Sequence, residues 1–106
     1  MAKPRINLPQ TAARGAVIEI KALVAHTMES GQRRDVQGNR IPRRIINRFT
    51  CTLDGVLVFE ADLFPGVSAN PFLTFHARVE HSGRFEFTWT DDDGSVIREA
   101  VDIEVI

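Results

Sequence analysis

The chain has 106 residues, 43% hydrophobic and 25% charged, with 13 Lys and Arg against 14 Asp and Glu and a formal net charge of -1. That length predicts one domain over residues 1–106, with a core that needs no staples. The balance excludes a general nucleic-acid binder, the single cysteine an internal disulfide framework, and the lack of any ~18-residue apolar run a membrane-spanning helix.

Taken in chain order, "MAKPRINLPQTAARG" has basic residues but no apolar run of signal-peptide length, which read alone predicts cytoplasm. A short strand near "RINL", between Pro4 and Pro9, fits only at a sheet edge, because proline cannot donate to a ladder. "AVIEIKALVA" (16–25) alternates, with Ile18, Ile20, Ala22 and Val24 on one face and Glu19 and Lys21 on the other. "IINRFTCTL" (45–53) sets Phe49, Cys51 and Leu53 against Arg48, Thr50 and Thr52. Asp54-Gly55 then predicts a two-residue turn with positive φ at both positions, and "VLVFEADL" returns as the next strand.

"FPGVSANP" (64–71) is a crossing segment rich in breakers. "FLTFHARVE" (72–80) aligns Leu73, Phe75, Ala77 and Val79, leaving His76 on the other side. "RFEFTWT" aligns Phe85, Phe87 and Trp89, and after "DDDGS" the chain closes with Val101, Ile103 and Val105 facing one way. About seven short strands with turns every ten residues or so predict an all-β, immunoglobulin-like two-sheet antiparallel sandwich. The longest gap between strands, residues 26 to 43, is an expected loop, and loops of that length are usually functional or disordered.

That gap opens the stretch "SGQRRDVQGNRIPRRIINRF" (30–49), where Arg33, Arg34, Arg40, Arg43, Arg44 and Arg48 face one acid, Asp35. The tail "EFTWTDDDGSVIREAVDIEV" answers with seven acids and one base, Arg98. Such asymmetry either orients a partner or pairs internally across strands. Arginine suits oxyanions because its planar fork donates two parallel hydrogen bonds and keeps its charge.

Other chemistry is thinly represented. His26, His76, His81 and Cys51 are the soft metal ligands available, and none has a recognised spacing, so they read as surface histidines and an inert buried thiol. An iron site of several histidines and a cysteine needs more histidines than these. "DDDGS" lacks the alternate acids of a calcium loop and reads as a turn whose side chains cap their own backbone. Ser30, Ser68, Ser82 and Ser95 lack the context of a nucleophile, so no catalytic group, metal or cofactor is expected.

"HTMESGQRRDVQGNRIPRRIIN" (26–47) and "FEFTWTDDDGS" (85–95) resemble the SoxZ family of the bacterial sulfur-oxidising (Sox) system. "AKPRINLPQTAARGAVIEIKALVAH" and "FTCTLDGVLVFEADLFPGVSANPFLTFHA" extend the resemblance nearly end to end, with Thr27 where proline is expected. The resemblance implies an immunoglobulin-like, non-catalytic subunit that forms a heterodimer with SoxY, a protein that carries covalently bound sulfur intermediates on a C-terminal cysteine arm. It implies transient contacts with other Sox enzymes, no nucleic acid or membrane partner, and work in the periplasm after export alongside the signal-bearing partner.

On that basis Arg33, Arg34, Arg43, Arg44 and Arg48 are expected to line the heterodimer seam or flank the arm's resting place. Val56, Val58, Phe64, Val67, Phe72 and Val96 lie off the best core faces or near loops and are candidate apolar interface residues. The isolated chain is expected to be able to self-associate through an exposed strand edge. The alternative is a periplasmic immunoglobulin-like module that binds a small anion directly through the arginine-rich loop. A third reading is a metal-dependent redox enzyme.

Overall fold

A computed structural model describes residues 4–106. Alternation of apolar and polar residues builds eight strands in two facing sheets, with no helix among the described residues. The strands are β1 (Arg5–Asn7), β2 (Thr11–Ala12), β3 (Val17–Leu23) and β4 (Ile46–Leu53), then β5 (Val56–Asp62), β6 (Phe72–Arg78), β7 (Gly83–Asp91) and β8 (Val96–Val105). One sheet has the order β1-β3-β6 and the other β2-β8-β7-β4-β5. This is an immunoglobulin-like β-sandwich, as the alternation predicts.

Two details differ from the sequence expectation. The strand count is eight because Thr11–Ala12 forms a two-residue strand, too short to show any periodicity. That strand pairs with Glu104–Val105 in parallel, so the second sheet is not wholly antiparallel.

The core follows the expected faces. Ile18, Ile20, Ala22 and Val24 from one sheet meet Phe49, Cys51, Phe85, Phe87 and Trp89 from the other, all buried. Aromatic contacts tie the layers together: the Phe49 and Trp89 ring centres lie 5.2 Å apart, and Phe59 stacks on Phe75 at 4.4 Å. The Phe59–Phe75 stack places the edges of β5 and β6 on one side of the sandwich. The β4–β5 turn takes φ of 49° at Asp54 and 82° at Gly55, as expected of a two-residue hairpin. Asp54 Oδ1 also accepts the Arg84 N–H at 2.9 Å, which fixes that turn against β7.

The long gap is not an irregular loop. Residues 29–44 fold back on themselves as a hairpin arm. Glu29 and Arg44 exchange backbone hydrogen bonds of 2.9 and 2.8 Å at its base, and Arg34 and Arg40 face each other near its tip. Residues 32–40 are exposed throughout, and the molecule measures 59 Å along its longest axis against 21 and 20 Å across. The arm therefore projects from the body. Few of its residues alternate in polarity, so period 2 gives no sign of it.

Candidate functional site: a clamped arginine arm

The β7–β8 turn, Asp91-Asp92-Asp93, holds the base of the arm. Asp92 is the centre. Its carboxylate accepts from Arg43 Nε at 2.8 Å, Arg43 Nη2 at 2.9 Å, Asn47 Nδ2 at 2.9 Å and the Ile45 N–H at 3.1 Å. The Arg43 guanidinium beside it, helped by Asn47 and Ile45, holds this carboxyl far below the usual carboxylate range. Its own N–H donates to Ile45 O at 2.9 Å, so backbone and side chain grip the same residue.

Arg44 spans the other two aspartates, with Nη2 2.8 Å from Asp93 Oδ2 and Nε 3.4 Å from Asp91 Oδ1. Asp93 Oδ1 meanwhile accepts the Ser95 N–H and hydroxyl, contacts that keep its carboxyl below the ordinary range. Asp93 caps the turn as the sequence suggests, and Asp91 Oδ1 does so too, accepting the Asp93 N–H at 3.2 Å. Asp91 and Asp92 reach across to the arm.

Asp91 is buried, and its partner is a histidine. His26 Nε2 lies 2.7 Å from Asp91 Oδ2, while His26 Nδ1 accepts the Met28 N–H at 2.9 Å. With Nδ1 accepting, the ring proton sits on Nε2 and is donated to Asp91. This corrects the reading of His26 as a surface histidine: its side chain is only 11% exposed. The ring also braces an unusual backbone, since Met28 has φ of 53° and is buried, with its Sδ 3.3 Å from the Ile46 N–H. Gly31 supplies the other sharp bend at φ 85°, where a Cβ would stand 2.9 Å from Arg43 Cβ.

The five arginines expected to act together are therefore separated. Arg43 and Arg44 belong to the aspartate clamp. Arg33 pairs with Glu29 on the arm itself, which lowers the Glu29 carboxyl and raises the Arg33 guanidinium. Arg48 lies on the outer face of β4 and pairs with Glu60 and with Asp62 at 3.2 Å. Arg34 Nη1 donates to Gly38 O at 2.9 Å and has no carboxylate partner among the described residues. Arg40, outside the expected set, stands opposite Arg34 and likewise has no carboxylate partner there. Asp35, between them, accepts the Gln37 and Asn39 N–H groups at 2.9 Å each. Within the arginine-rich stretch the unpaired positive charge is at the tip, next to a fully exposed Val36.

The apolar candidates also divide. Val56 (69% exposed), Phe64 (65%), Phe72 (57%) and Val96 (44%) stand free of the core. Val58 and Val67 are half-buried and pack against the core instead. Val58 sits at a register shift opposite Cys51 and Thr52, where the alternation on which its outward placement rested breaks down. Leu57, at 51% exposure, is a further exposed apolar residue on β5.

Cys51 is buried beside Phe49 in the core, and burial pushes its thiol up to about 12. His76 and His81 are exposed, and His76 Nε2 is 3.8 Å from Glu19 Oε2. No three of the described His, Cys, Asp and Glu residues converge as a metal site would require. These residues do not fit the iron site of the third reading.

The fold and the site together define a small immunoglobulin-like sandwich that displays a clamped, arginine-rich arm. Its sequence matches the family described as sulphur oxidation protein SoxZ over residues 6–102. The chain belongs to the SoxZ family, and so to the Sox system of sulfur oxidation.

No curated protein matches the sequence. Among solved structures, the superoxide reductase (neelaredoxin) from Ignicoccus hospitalis is similar, with a TM-score of 0.76 and 17% identity over 97% of this chain and 80% of that one. A putative superoxide reductase from Thermotoga maritima has a TM-score of 0.74 and 14% identity, covering 97% and 85%. The sulfur carrier protein SoxY from Chlorobium limicola f thiosulfatophilum has a TM-score of 0.69 and 12% identity, covering 97% and 78%. At such identities these likenesses describe the sandwich fold alone.

Proposed function

We propose that this chain is the non-catalytic subunit of a heterodimer with a SoxY-like sulfur carrier, acting in periplasmic thiosulfate and sulfur oxidation. The observation that carries the reading is the SoxZ family match in a chain whose one thiol is sealed in its core. Sulfur carried as a covalent adduct needs an accessible thiolate, and Cys51 is neither accessible nor readily ionised. The cargo then belongs on a second polypeptide, and this subunit's work is to hold and present it. Export in the company of a signal-bearing partner accounts for a periplasmic location.

The seam with the carrier draws on the exposed apolar residues Phe64, Phe72 and Val96 at the arm's end of the sandwich, since a stable interface needs an apolar centre, while Val56 stands at the opposite end of β5. The arm is the steering element. Arg43 and Arg44 set its direction, while Arg34 and Arg40 present positive charge to an anionic cargo or to an enzyme approaching it. Direct capture of a small anion is the weaker alternative, because Arg33, Arg43, Arg44 and Arg48 already hold carboxylates.

Co-expression with a protein ending in a glycine-flanked cysteine tests the reading. The expected result is co-purification at 1:1 and negligible calorimetric affinity of this chain alone for thiosulfate. Failure to co-purify, or thiosulfate turnover by the lone chain, would overturn it.

A further inference from the structure

Strand β8 is the longest in the molecule, yet β2 covers only its last residues, at Glu104 and Val105. Among the described residues, Val96–Ile103 has β7 on one side and nothing on the other. The Glu104 and Ile106 N–H groups donate to Gln10 O and Ala12 O, so even-numbered residues of β8 point their backbone groups towards this open side. Ala100 obeys the same parity: its N–H meets only its neighbour's Glu99 Oε1, at 3.2 Å.

We propose that this edge pairs with the same edge of a second copy, antiparallel, about a two-fold axis through Ala100. The pairing rests on register and does not use the carrier-partner reading, although Val96, at the start of this edge, belongs to both surfaces. Parity makes even-numbered residues face even-numbered ones, so a two-fold axis passes through a residue of β8 and sets that residue against its copy. An axis through Arg98 sets Arg98 against its copy, one through Glu99 sets two glutamates together, and one through Asp102 two aspartates. An axis through Val101 leaves only Glu99–Ile103 free to pair, because Arg98 would meet Glu104, whose edge β2 already occupies; through Ala100 that limit falls at Val96 and leaves the longer run Ile97–Ile103.

The axis through Ala100 avoids all of these. It pairs Ile97 with Ile103 and stops where β2 begins. Arg98 then lies opposite Asp102 of the copy on the outer face, twice by symmetry, where that exposed carboxylate already accepts from Arg84 of its own chain at 2.9 Å and gains a second arginine, and Arg98, Ala100 and Asp102 exchange backbone hydrogen bonds across the axis. On the inner face Ile97 and Val101, half-exposed in the single chain, are covered, and Glu99 on the same face meets Val101 of the copy through its aliphatic stem. The Glu99 contact with the Ala100 N–H is long, and the incoming carbonyl displaces it. An edge of this length is otherwise a site of uncontrolled pairing, and closing it on itself satisfies both copies.

Sedimentation of the full chain up to high micromolar concentration tests this, with a species of twice 11.9 kDa expected. Ala100→Pro removes an N–H that β7 does not use, so the fold persists while dimerisation weakens by at least about tenfold. Arg98→Asp places like charges together at both symmetric contacts and weakens it by about tenfold, whereas Arg98→Asp with Asp102→Arg, in a chain that also carries Arg84→Gln to remove the arginine Asp102 pairs with on β7, restores it to within about threefold. If Ala100→Pro fails to fold, the charge-swap series decides alone. A monomer at every concentration, or a dimer indifferent to these changes, overturns the proposal.

Discussion

Arg43 and Asp92, 49 residues apart in sequence, form a two-pronged ion pair with Nε and Nη2 2.8 and 2.9 Å from the two carboxylate oxygens. The same carboxylate accepts the Ile45 N–H where the arm enters β4, so one side chain fixes both the arm's base and the strand that follows. Removing Asp92 frees a part-buried N–H and the Asn47 amide together.

Asp92→Ala is accordingly expected to cost about 1–3 kcal/mol of stability, mostly from the donors left without an acceptor. Urea denaturation at neutral pH reads this. A change below about 0.5 kcal/mol would show that solvent replaces the clamp at no cost.

The clamp also sets an acid response. The Asp92 carboxyl is depressed in the folded state, so its contribution is fully present above its ordinary unfolded value. The contribution is lost as pH falls through and below the usual carboxylate range. Wild type is expected to lose stability more steeply than Asp92→Asn between about pH 4 and pH 2. Parallel stability-versus-pH curves would contradict this.

Gly31→Ala is expected to loosen the arm. The residue sits at φ 85°, where an added Cβ also collides with Arg43. The strain alone is about 1–2 kcal/mol. Amide hydrogen exchange should rise at Glu29 and Arg44, whose hydrogen bonds close the base, and remain unchanged in β7.

His26→Ala withdraws the acceptor for the Met28 N–H and the donor to Asp91. We expect a loss of about 1–3 kcal/mol and faster exchange of the Met28 amide. Unchanged exchange there would mean that the left-handed Met28 is held by packing alone.

The tip should behave in the opposite way. Arg34→Gln with Arg40→Gln removes two opposed charges that lack carboxylate partners, so stability should stay within about 0.5 kcal/mol of wild type. Under the proposed function, association of the carrier complex with its enzymes should slow, most clearly at low salt, where screening is weak. Arg43→Gln should show the reverse pattern, altering stability first.

The faces of β3, β4, β6 and β7 were legible because each strand buries one side, and period 2 then writes the fold into the residue order. The Asp54-Gly55 turn was legible for a local reason, positive φ. The arm was not, because its residues 32–40 bury nothing and so carry no pattern. His26 was misread for the same kind of reason: its burial comes from Asp91, 65 residues away.

By itself the sequence determined the two-layer body, the buried thiol and the concentration of arginine and aspartate in two separate stretches, because alternation and composition are properties of the chain alone. Only the tertiary structure decided which charges cancel. Bringing Asp91, Asp92 and Asp93 beneath the arm neutralises Arg43 and Arg44 and leaves Arg34 and Arg40 at its far end. Coulomb energy depends on distance in space, and distance along the chain does not predict it.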